Sequence, residues 1–272
     1  MKYLIVTADD LGLAKSINDG IVTACKEGIV TAVSVIPTGE AIQDALEAVK
    51  ALPFRDAGAH LSLSETNPLL DTSKFYKSHN GLFFDILSGR ADLGDIYSEL
   101  KAQLEVLKRS GLKITHINSH EHIHMMPKIL DIFIRLAKEY DVQAIRFPRG
   151  DRPAAGSSIV EYYKKAVLGH FASNMRKDLG ETGLKYTDYF FGLLDAGSLD
   201  IDKIKIVLGL LKDGVTEFVT HPGFLGPKVL NRYSWHTGGE TELFALTDNR
   251  IKAAIKENGV ELITYEKFLT LK

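Results

Sequence analysis

Short runs of aliphatic and β-branched residues alternate with longer amphipathic stretches along almost the whole chain. The runs have the length and composition of buried parallel strands, and the stretches between them repeat apolar residues with a helical period. The predicted strands cover 3–7, 31–36, 56–63, 113–118, 144–147, 186–191, 215–220 and 260–263. The predicted helices cover 16–27, 40–52, 96–109, 128–140, 158–177, 201–212 and 249–258. Eight such repeats predict an α/β protein with a single-domain (β/α) barrel-like fold, either regular or distorted and incomplete.

Two stretches interrupt the alternation of strands and helices. Residues 65–93 contain the turn signals Asn67-Pro68 and Asn80-Gly81, and residues 222–240 are rich in glycine and aromatic residues. Loops of this length are usually functional or disordered, and aromatic residues such as Phe83 and Trp235 favour an ordered loop that faces a ligand. We therefore predict one domain over residues 1–272, with loop insertions at about 65–93 and 222–240.

Composition and charge narrow the functional classes. The 272 residues are 45% hydrophobic and 25% charged, which is typical of a globular protein. The net charge of -2 gives no attraction for a nucleic acid or an anionic membrane. We find neither an apolar run of about 20 residues nor a signal-peptide pattern, so we expect no membrane span and a cytoplasmic location. The single cysteine, Cys25, has the spacing of a buried helix face rather than of a nucleophile.

Four histidines crowd a short segment in the middle of the chain, at positions 116, 120, 122 and 124. In an extended chain alternate side chains share one face, so all four could point in the same direction as Asn118. A metal ion has room for one or two of them, and the others would line the pocket, orient a ligand or pack in the wall. A lone imidazole of this kind is best explained by packing, whereas the cluster favours a divalent metal.

Polar residues also follow several predicted strands at the ends where ligands of α/β sheets bind. They are Asp9-Asp10, His60, His120, Arg146 and Thr220-His221-Pro222-Gly223. Adjacent aspartates at the end of a strand can divide their roles, because one carboxylate can bind a metal while the other accepts a proton from water. The alternative for Asp9-Asp10 is a simple turn with a helix cap.

The string Thr7-Ala8-Asp9-Asp10-Leu11-Gly12 resembles the Asn-Ala-Asp-Asp-Phe-Gly opening of the YdjC-like carbohydrate deacetylases. This family includes chitooligosaccharide deacetylases and is related to the hopanoid-biosynthesis deacetylase type. The later motifs match in the same order and cover almost the whole chain. They are Gly58-Ala59-His60-Leu61, Thr115-His116-Ile117-Asn118-Ser119-His120, Ile145-Arg146-Phe147-Pro148-Arg149 and Thr220-His221-Pro222-Gly223-Phe224. Thr7 and Leu11 depart from the asparagine and phenylalanine of the usual opening, and Glu121 stands where a histidine can occur.

The resemblance implies a metal-dependent hydrolase that removes an acetyl group from an N-acetylated amino sugar, on a barrel-like fold. Carried over by position, it implies that Asp10, His60 and His120 bind Mg²⁺ or Zn²⁺ and that Asp9 acts as the base. It also implies an assembly such as a homodimer.

The remaining site residues are hypotheses built on this scheme. His221 would protonate the departing amine, or alternatively cap the turn at Pro222-Gly223. Arg146 would hold Asp9 in place and keep it ionised, or alternatively form a structural ion pair. We expect the substrate to contact the imidazole and aromatic side chains of His122, His124, Phe224 and Trp235.

Two other functions compete with a sugar deacetylase. A different barrel metallohydrolase, such as an amidohydrolase or a phosphoesterase, would call for a His-x-His pair at the end of the first strand, where this chain has two aspartates. A sugar-binding protein without catalytic activity is the other alternative. The aspartate pair disfavours it, because burying an uncoordinated carboxylate is costly unless that group does chemistry.

Overall fold

The computed structural model describes most of the chain. The described residues are 1–54, 56–71, 76, 79–126, 128–148, 179–193, 196–233 and 236–271. The helix predicted over 158–177 and the aromatic residue Trp235 lie outside these residues.

All eight predicted strands are present and they pair in parallel. The strands are β1 (Lys2–Leu11), β2 (Ala32–Val35), β3 (Asp56–Leu61), β4 (Lys113–Ser119), β5 (Ala144–Ile145), β6 (Tyr189–Phe191), β7 (Gly214–Thr220) and β8 (Val260–Leu262). The sheet runs in the order β5-β4-β3-β2-β1-β7-β6, and β8 pairs with β1 off this path. Nonpolar residues with high strand propensity fill these runs, which explains why the hydrophobic pattern located them correctly.

Strand β1 is the centre of the sheet. It pairs with β7 from Lys2 to Ala8, with β8 at its beginning and with β2 near its end. The sheet curls, and an isolated parallel bridge joins Ala144 in the edge strand β5 to Lys185, which precedes the other edge strand β6. The prediction of a single α/β unit with a distorted, incomplete barrel is therefore confirmed, because the parallel sheet forms a half-barrel.

Ten α-helices lie in the described part of the chain. They are α1 (Lys15–Glu27), α2 (Ile42–Lys50), α3 (His79–Leu87), α4 (Leu93–Arg109), α5 (Ile129–Glu139), α6 (Ile201–Leu210), α7 (Pro227–Arg232), α8 (Gly239–Thr247), α9 (Asn249–Glu257) and α10 (Tyr265–Thr270). The helices α3 and α7 lie inside the two stretches predicted as long loops. Neither stretch is thus a continuous loop, since short amphipathic helices are hard to distinguish from turn-rich sequence.

The helices form where their apolar residues share one face. In α5, Ile129, Phe133 and Leu136 follow the helical spacing and are fully buried. Helix α4 begins at Asp92, whose carboxylate accepts hydrogen bonds from the backbone N–H groups of Gly94 and Asp95. No helix in the described residues combines the length and the apolar character needed to cross a membrane.

Cys25 is buried on the inner face of α1, as its spacing predicts. Burial raises the pKa of the Cys25 thiol, which disfavours the nucleophilic thiolate. The structure therefore gives Cys25 a packing role.

Candidate metal centre

The carboxyl ends of β1, β3 and β4 bring Asp10, His60 and His120 together. Asp10 Oδ1 lies 3.3 Å from His60 Nε2 and 3.2 Å from His120 Nδ1. All three side chains are buried, and one ligand atom from each lies within 4.8 Å of the others. Among the described residues, this is the one set of three or more His, Cys, Asp or Glu side chains with such an arrangement.

The donor set fits a divalent cation. Neither oxygen of Asp10 accepts a well-directed hydrogen bond from the described residues, although two imidazole nitrogens lie beside Oδ1. Burying a carboxylate without directed hydrogen-bond donors raises the free energy of the folded state. A cation bound by Asp10 together with the two imidazoles would offset this penalty. One oxygen and two nitrogen ligands are a set used by zinc and by several other divalent metals.

Each imidazole of this centre has a polar partner at its second nitrogen. The side-chain amide of Asn118 lies 2.7 Å from His60 Nδ1, and Glu65 Oε2 lies 3.1 Å from His120 Nε2. If Asn118 Oδ1 faces His60, it accepts the Nδ1–H hydrogen and leaves Nε2 for a metal. In the opposite amide orientation the NH₂ group donates to Nδ1, and the oxygen accepts from Arg146 Nη2 at 3.0 Å. Metal binding at His60 Nε2 requires the orientation in which Asn118 Oδ1 accepts the Nδ1–H hydrogen, because only then does Nε2 keep its lone pair.

The backbone around the centre adopts conformations that side chains other than glycine seldom take. Asp10, Glu65, Glu121 and His122 have φ values of 68°, 64°, 53° and 53°. Six non-glycine residues in the described chain have positive φ, and four of them lie here. At Asp10 the pairing of β1 with β2 shifts register between Ala8 and Leu11. Such strain persists where the surrounding structure enforces it, and it is concentrated at functional sites.

Asp10 and His120 stabilise each other's charged forms. Burial favours neutral Asp10, but contacts with His120 and His60 hold the pKa of the Asp10 carboxyl well below its usual value. Burial likewise opposes protonation of His120, yet Asp10 and Glu65 raise the pKa of this imidazole above its ordinary value. The site therefore favours a positive charge next to Asp10, which a bound cation would supply in place of the proton.

Asp9 lies beside the centre and points to a different set of partners. Its carboxylate forms two hydrogen bonds with Arg146, at 2.5 Å from Nη1 to Oδ2 and at 2.9 Å from Nη2 to Oδ1. Its nearest imidazole nitrogen in the centre is His60 Nδ1, 3.9 Å away. Burial alone would raise the pKa of Asp9, but the charges of Arg146 and His60 hold this pKa well below its usual range. Asp9 is thus an ionised carboxylate outside the three-residue cluster.

Arg146 is fully buried between two carboxylates. Glu217 Oε1 accepts hydrogen bonds from Arg146 Nε at 3.0 Å and from Nη2 at 2.9 Å, so Nη2 donates to both carboxylates. Thr7 Oγ1 donates to the same oxygen at 3.0 Å. The contact between Arg146 and Asp9 that the sequence hypothesis requires is present, and the hydrogen bonds to Glu217 further fix the orientation of the guanidinium.

Two further imidazoles face the centre from the opposite wall. His236 is buried with Nε2 4.0 Å from Asp10 Oδ2, and its ring centroid lies 6.3 Å from that of His221. A Cβ atom at Gly239 would come within 2.9 Å of His236 Nδ1, so this glycine leaves room for the ring. Burial lowers the pKa of His221 to about 4, despite the opposing charges of Asp10 and Asp9.

The other predicted contact residues lie in different environments. His124 is fully buried, with Nδ1 2.6 Å from Ser119 Oγ and Nε2 3.2 Å from the carbonyl oxygen of Arg146. It belongs to the wall and has no surface for a substrate. His122 is partly buried against Phe190, and Phe224 is 39% exposed after β7.

The extended arrangement predicted for the histidine segment ends at Ser119. From His120 to Met125 the chain forms a 3₁₀ helix that contains the positive φ values of Glu121 and His122. The four histidines therefore do not share one face. His116 instead stacks on Tyr265, with ring centroids 3.7 Å apart.

The sequence analysis did not predict three residues that lie near the centre, namely Glu65, Glu217 and His236. Glu217 could have been predicted, because an acidic residue within the mainly apolar run from Val215 to Val219 is expected to be buried and therefore to pair with a buried cation or donor. Glu65 and His236 lie in irregular segments, where the sequence alone does not indicate the direction of a side chain.

Comparisons with known proteins agree with this architecture. Residues 3–257 match the family model described as YdjC-like protein. The chain is 31% identical over 274 residues to a "Carbohydrate deacetylase" of Geobacillus stearothermophilus, with 99% of both chains covered. It is 28% identical over 270 residues to a protein of the same name from Thermoanaerobacter pseudethanolicus, with 97% of this chain and 98% of the relative covered.

A solved structure shows the same fold. The crystal structure of a protein from Enterococcus faecalis V583, described as a "putative cellobiose-phosphate cleavage protein", superposes with a TM-score of 0.78. The two sequences are 24% identical, and the alignment covers 98% of both chains. The family match extends over nearly the whole chain and includes Asp10, His60 and His120 of the candidate metal centre. This chain belongs to the YdjC-like protein family.

Proposed function

We propose that this protein is a divalent-metal-dependent hydrolase that removes the acetyl group from an N-acetylated amino sugar. The observation that carries the proposal is the buried cluster of Asp10, His60 and His120, with the ionised carboxylate of Asp9 beside it. The names of the relatives support the carbohydrate substrate and the deacetylation reaction. We further propose Mg²⁺ or Zn²⁺ as the metal.

Asp10, His60 and His120 would hold the metal and leave other coordination positions open, as catalysis requires. When bound, a divalent ion supplies Lewis acidity that polarises a carbonyl group and makes water more acidic. The pair of imidazole partners, Asn118 and Glu65, keeps the ligand nitrogens directed at Asp10.

Asp9 would act as the general base. Its carboxylate is ionised, lies outside the metal ligand set and is fixed by two hydrogen bonds from Arg146. We propose that it accepts the proton of the attacking water, and that Arg146 keeps it ionised and aligned until then. His221, across the site at the end of β7, would transfer a proton to the leaving amine. Because burial lowers the pKa of His221 to about 4, this imidazole is neutral near pH 7 and would have to take up the proton released by the attacking water before passing it to the amine.

The proposal is tested by measuring acetate release from N-acetylglucosamine and from short chitin oligomers. The purified protein is assayed as isolated, after treatment with a chelator, and after addition of Mg²⁺, Zn²⁺, Mn²⁺ or Co²⁺. We expect acetate release to stop on chelation and to return with a divalent ion. Phosphate release from sugar phosphates under the same conditions, with no acetate release from any acetylated sugar, would refute the proposal.

Two variants test the metal ligands separately from the chemistry. His60→Ala should lower both the bound metal and the rate, because it removes a ligand nitrogen. His221→Ala should keep the full metal content and lower kcat by about 10²-fold, since a general acid contributes roughly this factor. Normal turnover of His221→Ala would remove His221 from the proton-transfer role.

A further inference from the structure

Glu65 connects the first long loop to the metal centre. Its carboxylate oxygen Oε2 lies 3.1 Å from His120 Nε2, while the other ring nitrogen of His120 faces Asp10 at 3.2 Å. An imidazole that donates Nε2–H to a carboxylate presents the lone pair of Nδ1 in the opposite direction. The contact therefore selects the tautomer and ring orientation in which Nδ1 can bind a metal beside Asp10 Oδ1.

The segment that carries Glu65 is fixed to helix α4 at both ends. At one end, Gln103 accepts a hydrogen bond from the backbone N–H of Ser62 at 2.9 Å and donates to its carbonyl oxygen at 2.6 Å. At the other end, the carboxylate of Glu99 accepts from the N–H groups of Leu69 and Leu70, both at 2.9 Å. Glu99 and Gln103 are themselves hydrogen-bonded and buried.

The backbone between these anchors directs Glu65 towards His120. Glu65 has a φ of 64°, a conformation that residues other than glycine seldom adopt. Its N–H donates to the carbonyl oxygen of Tyr76 at 2.9 Å. The preceding Ser64 donates to the carboxylate of Glu121, next to His120. Two consecutive loop residues thus contact two consecutive residues of the 3₁₀ helix.

We propose that Glu65 is a positioning residue whose carboxylate holds His120 for metal binding, and that the anchoring of residues 62–70 on α4 serves to place this carboxylate beside the imidazole. The inference rests on the metal centre of the proposed function. It adds to that function a link between the loop and the metal. A carboxylate at the second nitrogen fixes the ring and increases the basicity of the ligand nitrogen. Its loss therefore weakens the bond from His120 to the ion without removing any ligand.

The test is the dissociation constant for Zn²⁺, measured by competition with a chromophoric chelator on full-length protein without substrate. Glu65→Ala should raise this constant by about 10- to 100-fold, as loss of such a partner typically does. Glu65→Gln should restore most of the affinity, because the amide oxygen still accepts Nε2–H. The matched control is Thr66→Ala, which removes the hydrogen bond of the next loop residue to Thr38 and does not touch His120.

The control should bind Zn²⁺ within about threefold of the original protein, and circular dichroism should show all variants to be folded. Unchanged affinity in Glu65→Ala would overturn the inference while leaving the metal centre intact. Equal losses in Glu65→Ala and Thr66→Ala would also overturn it, because loop docking rather than the carboxylate would then set the affinity. Absence of Zn²⁺ binding by the unmodified protein would overturn the proposed metal centre itself.

Discussion

Replacing Asp9 by Asn removes a negative charge from the site with almost no change in the volume of the side chain. The substitution keeps the shape of the side chain and leaves Asp10, His60 and His120 untouched. If Asp9 is the base, kcat should fall by about 10² to 10⁴, since general-base catalysis contributes this factor. The corresponding rise in the activation barrier is about 3–5 kcal/mol. Metal content should stay equal to that of the original protein.

The same substitution also has a cost in stability that follows from the contacts of Arg146. Asn can accept one of the two hydrogen bonds that Asp9 now accepts, and its NH₂ group faces the other guanidinium donor. Losing one hydrogen bond to a charged group costs about 2 kcal/mol. This corresponds to a fall in Tm of about 4–8 °C for a protein of this size. Glu217 still pairs with Arg146, so we expect the variant to remain folded at 25 °C.

The assay combines acetate release, metal content and thermal denaturation on the same preparation. Leu107→Ala serves as the control of comparable instability, because Leu107 is buried in α4 and such truncations cost about 2–5 kcal/mol. This control should retain kcat at 25 °C. An Asp9→Asn protein with more than a tenth of the original kcat would refute the role of Asp9 as the base. A loss of metal equal to that of His60→Ala would refute the division of roles between the two aspartates.

Further predictions concern stability. In urea denaturation, Gly58→Ala should destabilise the fold by about 3 kcal/mol, because the added Cβ would lie 2.1 Å from His116 Nε2. Gly209→Ala in α6, where a Cβ would meet no atom within 4 Å, should instead increase the free energy of unfolding by about 0.5–1 kcal/mol. Burial raises the pKa of Glu242 from 4.5 to about 7, so the folded state holds this proton more tightly than the unfolded chain. The contribution of Glu242 to the free energy of unfolding should therefore fall by on the order of 3 kcal/mol as pH rises from about 4.5 to about 7. The variant Glu242→Gln should lack this fall. Parallel curves of unfolding free energy against pH for the two proteins would contradict the prediction.

The strands and most of the helices follow from the hydrophobic pattern, because a curled parallel sheet buries nearly every side chain of its central strands. Strand β1 extends to Leu11 and includes Asp9 and Asp10, four residues beyond the predicted end. Polar residues normally end a strand in sequence-based prediction. Here the buried partners of the two aspartates, which are distant in sequence, allow the strand to continue.

The candidate centre could be anticipated only in part. The carboxyl ends of neighbouring parallel strands lie close together, and from this rule the proximity of Asp10, His60 and His120 could be predicted, since the sheet fixes their positions. The alternation rule was wrong after Ser119, because the strand ends there and the left-handed conformations of Glu121 and His122 kink the 3₁₀ segment that follows. Residues held by tertiary contacts in irregular segments, such as Glu65, require the structure.

The buried ion pairs at the end of β1 have a consequence for which ions the interior can accept. Asp9, Asp10 and Glu217 bring three carboxylates into a volume that contains the guanidinium of Arg146. With neutral imidazoles, this inner group carries two uncompensated negative charges. A doubly charged ion would balance the charges of these four side chains, whereas a sodium or potassium ion would leave one charge unbalanced in a medium of low polarity. We therefore expect the buried charges to favour a divalent over a monovalent ion at the candidate metal centre.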